Sequence, residues 1–94
     1  MALKYIREVR WSREREEHIG KHNVTIGEVW QVLGCERPLF RKAGSKRYFV
    51  FGQTEAGRYL LIVLKRVKGE IYSLVTAREM EDRERKLYQK SLGR

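Results

Sequence analysis

The stretch "RYFVFGQTEAGRYLLIVLKRVKGEIYSLVTAR" (residues 47–78) decides the fold. It contains three runs rich in β-branched and aromatic residues, separated by two short connections, "TEAG" (54–57) and Lys68–Gly69. Each connection contains a glycine, which supplies the positive φ that tight turns between antiparallel strands need. The stretch therefore predicts an antiparallel β-meander of three to four strands.

Two helices are predicted on the N-terminal side of this meander. Ser12 is a suitable N-cap for a helix from about Arg13 to Lys21, and "TIGE" (25–28) is a capping box that opens a second helix. In the second helix the apolar residues recur at helical spacing: Ile26, Val29, Trp30 and Leu33. This stripe predicts an amphipathic helix that covers the sheet, with Trp30 and Leu33 in the core.

The order of the elements defines the fold class. A partly alternating segment at residues 3–9 fits a short first strand, and a final helix is predicted from about Met80 to Leu92. A chain of 94 residues has room for one hydrophobic core. We therefore expect a single α+β domain over residues 1–94, with two N-terminal helices, the meander and a C-terminal helix.

Strict alternation sorts the meander into two faces, if Gln53 opposes Arg58 and Arg66 opposes Ile71. One face is almost entirely apolar: Arg47, Phe49, Phe51, Leu60, Ile62, Leu64, Ile71, Val75 and Ala77. The other mixes tyrosines, a threonine and an arginine with aliphatic residues: Tyr48, Val50, Tyr59, Leu61, Val63, Tyr72, Leu74, Thr76 and Arg78. The three tyrosines either form a stacking surface for single-stranded nucleic acid or simply direct their hydroxyls to solvent.

The composition restricts the compartment and the partners. The formal net charge is +9, from 21 Lys and Arg against 12 Asp and Glu, which favours a polyanionic partner. The only cysteine, Cys35, excludes an intramolecular disulfide. "MALKYIREVRW" is too charged for a signal peptide, and "YLLIVL" is too short to span a bilayer. We expect a cytoplasmic protein without membrane attachment.

Four short motifs, in this order and spacing, resemble the BrnT-type toxins, the ribonuclease half of a bacterial type II toxin–antitoxin pair with a RelE-like fold. They are "KHNV" (21–24), "RYFVFGQT" (47–54), "GRYLLIVL" (57–64) and "TAREMEDRERKLY" (76–88), and the resemblance extends from Trp11 to Tyr88. The resemblance implies a RelE-like fold, an RNA substrate and a cognate antitoxin as partner.

Four positions depart from the usual pattern of that family. Ser12 stands for an Asp after the early Trp, His18 for an Asn, Asn23 for a Gly and Ser45 for a Glu. These departures concern catalytic competence more than the fold. They leave open a degenerate relative that has kept the architecture without the full activity.

The resemblance implies RNA cleavage without a metal or other cofactor, by attack of a 2′-hydroxyl on the adjacent phosphate. This reaction needs a base, an acid for the leaving oxygen and cations for the phosphorane charge. His22 is the candidate for proton transfer because histidine titrates near neutrality, and Arg47, Arg58 and Arg78 are the candidate cations. Further nucleic-acid contacts are predicted at Tyr48, Tyr59, Tyr72, Arg83, Arg85 and Lys86.

The predicted register places Arg47 and Arg78 on opposite faces, so either one of them is structural or the register is wrong. Glu14, His18 and His22 recur every four residues, which fits metal ligands but is equally explained by helical charge pairs. Two other functions stay open: a non-catalytic nucleic-acid-binding module, and a protein-interaction adaptor whose basic surface binds an acidic segment.

Overall fold

The structure, a computed structural model, describes residues 6–93. The described elements follow in the order β1 (Glu8–Arg10), α1 (Arg13–Gly20), α2 (Ile26–Leu33), β2 (Leu39–Lys42), β3 (Arg47–Gln53), β4 (Tyr59–Lys68), β5 (Ile71–Glu79) and α3 (Asp82–Ser91). The predicted α+β class is confirmed. The predicted first strand is present at residues 8–10, and its earlier part at residues 3–5 lies outside the described residues. No helix within residues 6–93 is long and apolar enough to cross a bilayer.

All five described strands form one sheet in the order β1-β5-β4-β3-β2. Three neighbouring pairs are antiparallel, whereas β1 runs parallel to β5, so the sheet is mixed. The sheet therefore has more strands than the predicted meander. The additional strand β2 has only four residues, which is too short for alternation to identify it from sequence.

The predicted pairing between β3 and β4 is wrong by one residue. Gln53 pairs with Tyr59 instead of Arg58. The reason is that the connection has five residues, closed by bonds from the Thr54 N–H to the Arg58 carbonyl (2.9 Å) and from the Arg58 N–H to the Thr54 hydroxyl (3.0 Å). Because side chains alternate along a strand, this shift turns every side chain of β3 to the opposite face relative to β4.

The pairing between β4 and β5 contains a β-bulge that strict alternation does not anticipate. Val63 faces Thr76 and Leu64 faces Leu74, so Val75 has no residue directly opposite it. The side chains of residues 71–74 consequently lie on the other face from the one that was predicted for them.

The two faces of the observed sheet bury separate apolar clusters. The cluster on the side of α1 and α2 contains Val9, Ile19, Val24, Val29, Val32, Val50, Leu60, Ile62, Leu64, Tyr72, Leu74 and Ala77. The smaller cluster on the side of α3 contains Phe51, Leu61, Val63 and Tyr88. Both faces of β4 are thus covered, which accounts for its run of five buried residues, 60–64.

The capping box of α2 is confirmed, since the Thr25 side chain accepts from the Glu28 N–H and the Glu28 carboxylate accepts from the Thr25 N–H. The buried side chains of the helix are Val29 and Val32. The expectation that Trp30 lies in the core is wrong, because 44% of this residue is exposed. Trp30 lies about 100° around the helix axis from Val29, at the rim of the apolar stripe.

Candidate functional site

The helix α1 lies along the part of the β5 edge that β1 leaves unpaired. β1 pairs only with residues 71–73 of β5. Beyond them, the Arg15 guanidinium donates to the Val75 carbonyl (3.2 Å), and His18 Nε2 lies 3.1 Å from the Thr76 hydroxyl. Residues 15, 18 and 22 follow one another at helical spacing on one side of α1 and its terminal turn. They form a basic row along β5.

Two of the predicted catalytic residues, His22 and Arg78, meet at the C-terminal end of this row. They line an open depression of about 370 Å³ together with Asn23, Glu79 and Glu81. His22 is exposed, and its ring contacts that of His18 edge to face, with centroids 5.4 Å apart. An accessible imidazole and a guanidinium therefore share one surface.

The guanidinium of Arg78 is held by a carboxylate of α3. It donates two parallel bonds to the two oxygens of Glu84, both of 2.8 Å, and a third bond to the Glu79 carbonyl (3.0 Å). Glu84 also accepts from the Glu81 N–H (2.8 Å) at the start of α3. The bonds from Arg78 lower the pKa of Glu84 despite its partial burial. Arg78 thus fastens the end of β5 to α3, with the fork geometry that would also suit a phosphate.

Arg58 is even more completely engaged. Its guanidinium donates to both Glu28 oxygens (2.9 and 2.8 Å), to Glu79 (2.9 Å) and to the Asn23 carbonyl (2.7 Å). Burial acts to raise the pKa of Glu28, but the hydrogen bonds from Arg58 and Thr25 outweigh it and lower this pKa. Asn23 adopts a positive φ of 60° in the connection between α1 and α2. Arg58 therefore fixes that connection, which carries His22, against the sheet.

The remaining predicted catalytic residue, Arg47, lines a different depression of about 420 Å³. Its lining is strongly basic: Arg10, Trp11, Ser12, Arg15, Arg47, Lys65, Ser73, Leu74 and Val75. Within residues 6–93, Arg15, Arg47 and Lys65 form no ion pair, and Arg10 pairs only with the exposed Glu8 (2.6 Å). We call this surface the Arg47 depression. It is the more positive of the two, because the His22 depression contains two carboxylates.

The corrected register changes the relation between Arg47 and Arg78. Phe51 faces Leu61, and Leu61 faces Arg78 across the sheet. Arg47 alternates in phase with Phe51, so both arginines project from the α3 side of the sheet. The prediction that they lie on opposite faces is wrong. Lys65, which sequence reasoning missed, pairs directly with Arg47 in this register.

The predicted single face of three tyrosines is not formed. Tyr48 and Tyr72 contact each other on the side of α1 and α2, with ring centroids 5.6 Å apart. Tyr72 is only 8% exposed, and burial raises the pKa of its hydroxyl. Tyr59 lies on the other side, against Tyr88, and the Arg85 guanidinium is 5.3 Å from its ring. The three tyrosines therefore do not form one stacking surface.

The basic residues that were predicted on α3 are exposed: Arg83, Arg85 and Lys86. Arg85 lies 3.7 Å from Asp82, an exposed pair that contributes little. These residues add positive charge beside Arg78 without lining either of the two depressions.

The metal alternative gains no built site within residues 6–93. Residues 6–93 bring together no three His, Cys, Asp or Glu side chains that could hold a metal ion, and Glu14, His18 and His22 follow one another at helical spacing along α1 and its terminal turn. Cys35 is half-buried in a third depression of about 430 Å³, where Tyr88 donates to the Arg37 carbonyl (2.8 Å).

Comparison with known proteins identifies the fold. No protein-family model matches the chain, and no curated protein matches it in sequence. The structure is similar to the crystal structure of the Brucella abortus ribonuclease toxin BrnT, with a TM-score of 0.63 and 15% sequence identity over 80% of this chain and 97% of that chain. The chain therefore has the fold of a BrnT-type toxin, and the motif resemblance is confirmed at the level of the fold.

Proposed function

We propose that this chain is a small metal-independent endoribonuclease toxin, or a degenerate relative of one, that acts on cytoplasmic RNA and is neutralised by a cognate antitoxin. The observation that carries the proposal is the meeting of His22 and Arg78 in one depression at the end of β5. The net charge of +9 and the BrnT-type fold support the same function.

In the proposed reaction the RNA 2′-hydroxyl attacks the adjacent phosphorus, and His22 takes its proton. The bond from phosphorus to O2′ forms, and the bond to O5′ breaks. The products are a 2′,3′-cyclic phosphate and a 5′-hydroxyl, with a proton returned to the leaving oxygen. In this proposal the second imidazole, His18, supplies that proton; its ring centroid is 5.4 Å from that of His22, and its Nε2 lies 3.1 Å from the Thr76 hydroxyl.

Arg78 stabilises the phosphorane charge in this proposal, after exchanging Glu84 for a phosphate oxygen. Arg58 is a positioning residue. Its guanidinium donates to the carbonyl of Asn23 (2.7 Å), the residue that follows His22, and it does not line the depression. Arg47 binds a phosphate farther along the RNA strand, in the more basic depression. The basic row and the two depressions together then form a path for the RNA strand along β5.

The cleavage of single-stranded RNA in EDTA tests this assignment. We expect the wild-type protein to cut, and His22→Ala and Arg78→Ala to lose most of the turnover while they still bind RNA. Arg66→Ala is the matched control, since Arg66 is exposed at the end of the sheet and, within residues 6–93, its guanidinium donates only to the Gly69 carbonyl (2.9 Å). Cleavage by His22→Ala at the wild-type rate would show that the site is misplaced.

A second candidate function is a non-catalytic RNA-binding module, and one observation favours it. Both Arg58 and Arg78 already have carboxylate partners, so neither of these two predicted cations is free for a transition state at His22. RNA binding that weakens steeply with salt, without cleavage, would support this module, because cationic contacts release counterions from RNA. The absence of RNA binding would leave the adaptor, whose basic surface binds an acidic protein segment.

A further inference from the structure

The two tryptophans of the chain lie against each other on the surface. Trp11 is 42% exposed and Trp30 is 44% exposed. Their ring centroids are 6.4 Å apart, and the ring planes meet at 71°. Neither ring belongs to the buried apolar clusters. Large aromatic rings left half in water commonly mark a binding surface.

Both rings are attached to rigid elements. Trp11 precedes Ser12, the N-cap of α1, whose hydroxyl accepts from the Arg15 N–H (3.2 Å). Trp30 is in the middle of α2, whose N-terminus is fixed by its capping box. Local hydrogen bonds therefore order the backbone next to each ring, which lowers the entropy cost of binding.

The pair adjoins the Arg47 depression, the more positive of the two depressions compared above. Trp11 itself lines the Arg47 depression, together with the unpaired cations of Arg15, Arg47 and Lys65. An aromatic platform beside cations that lack carboxylate partners fits a ligand with alternating flat rings and negative charges. Single-stranded RNA has this chemistry, since its phosphates bind cations while its unpaired bases stack on aromatic side chains.

We propose that Trp11 and Trp30 form a base-stacking subsite for single-stranded RNA whose phosphates lie on Arg15, Arg47 and Lys65. This inference rests on the proposed RNA substrate and assigns to it a surface distinct from the His22 depression. A duplex does not fit, because its bases are stacked on one another inside the helix. A protein partner is the alternative that the variants below test, since tryptophan and arginine are also enriched at protein interfaces.

The subsite has a defined offset from the proposed scissile phosphate. Trp11 precedes α1 and His22 follows it, and the eight residues of α1 span about 12 Å. A base on the tryptophan pair therefore belongs to a nucleotide remote from the cleaved bond. The subsite should therefore strengthen the binding of longer oligonucleotides and have no effect on the binding of a dinucleotide.

Tryptophan fluorescence reports on this subsite alone, because the chain has no tryptophans other than this pair. The ligand for the titration is a 12-nucleotide 2′-O-methyl oligouridylate, which lacks the attacking hydroxyl and stays intact. We expect it to change the emission, whereas inorganic polyphosphate binds the cations without an equal change. Binding of the oligouridylate with unchanged emission, or an equal change with polyphosphate, overturns the subsite.

Variants measure the contribution of the stacking. Trp11→Leu and Trp30→Leu should bind the oligouridylate roughly 5- to 150-fold more weakly than the wild type, with an unchanged salt dependence. The matched control is Leu87→Ala, which removes a 40% exposed apolar side chain from α3, outside the Arg47 depression. Circular dichroism checks that each variant is folded, and the wild-type fluorescence titration requires no variant.

The failures of the subsite and of the proposed function are distinguishable. Unaltered oligouridylate binding by both tryptophan variants, with RNA cleavage retained in the wild type, overturns the subsite and leaves the ribonuclease. Loss of antitoxin binding by variants that still bind oligouridylate normally overturns the subsite in favour of a protein interface. If the wild type binds no RNA, both proposals fail together.

Discussion

Replacement of Arg78 and Glu84, singly and together, should reveal an energetic coupling between the end of β5 and the start of α3. The two side chains share two bonds of 2.8 Å and are only 33% and 19% exposed. Fully exposed pairs contribute about 0.2–1 kcal/mol, and hydrogen bonds to charged groups contribute about 1.5–3 kcal/mol. The partial exposure places this pair between those ranges, so we expect a coupling of about 1–2 kcal/mol.

The two single replacements should lower the free energy of unfolding by different amounts. Arg78→Ala removes the pair and the bond to the Glu79 carbonyl, for an expected loss of about 1–2 kcal/mol. Glu84→Ala also removes the acceptor for the Glu81 N–H, which adds about 1 kcal/mol, as the loss of a helix cap does. In a domain of this size each kcal/mol lowers Tm by roughly 4–8 °C.

Urea unfolding of the wild type, both single variants and the double variant measures the coupling. The matched control is the Arg85 and Asp82 pair on the same helix, 3.7 Å apart with Asp82 92% exposed, for which we expect no measurable coupling. Additive losses of stability at Arg78 and Glu84, which mean a coupling of zero within error as at the control pair, would contradict the conclusion that Arg78 fastens β5 to α3. Arg78 would then be free to serve the phosphate alone.

Three further results are expected. In urea unfolding, Trp30→Ala should lower the free energy of unfolding by at most about 1 kcal/mol because the ring is half-exposed, whereas Leu60→Ala, at a fully buried position, should lower it by about 2–5 kcal/mol. Equal losses in the two variants would contradict the placement of Trp30. Arg58 and Thr25 lower the pKa of Glu28 in the folded protein, so the contribution of Glu28 to stability is complete above the ordinary carboxyl pKa of 4.5 and is lost as the pH falls below it. The Tm should therefore drop in acid, and Glu28→Gln should make this drop smaller. An unaltered dependence of Tm on pH in the variant would exclude this cause. Gly52→Ala should lower Tm, because a Cβ at this position would lie 2.9 Å from the sulfur of Cys35. An unchanged Tm would show that the packing around Cys35 adjusts to the methyl group.

The features that sequence predicted well are those decided by neighbouring residues. The capping box at Thr25 and Glu28 and the N-cap at Ser12 involve partners three residues away, and both are present. Their signals are local and chemical, so they do not depend on how the chain packs.

The register of the sheet could not be predicted, because it depends on a count of loop residues. Strand propensity assigns Arg58 to the strand as readily as to the connection, but its N–H bonds to the Thr54 hydroxyl and closes a five-residue loop. The bulge at Val75 adds a second shift in phase. Each shift by one residue exchanges the faces, which separated the tyrosines and brought Arg47 and Arg78 to one side.

The candidate site was predicted in part. His22 and Arg78 were named from sequence, but their proximity follows from the packing of α1 against the β5 edge, a contact between segments about 60 residues apart. The partners of Arg58 and the basic cluster around Arg47 also arise from tertiary packing. The position of Glu84 at the start of α3 had a local signal, because Glu84 stands three residues after the N-cap Glu81 in a capping box.

Cleavage of a single-ribose substrate would show whether the chain is a metal-independent ribonuclease that uses the 2′-hydroxyl. The substrate is a 12-nucleotide DNA strand that contains one ribonucleotide at a central position, incubated with the wild-type protein in EDTA. We expect one cut, immediately 3′ of the ribose, with a 2′,3′-cyclic phosphate on one product and a 5′-hydroxyl on the other, and no cut in the all-DNA strand. Cutting of the all-DNA strand, or a requirement for added metal, would exclude this reaction.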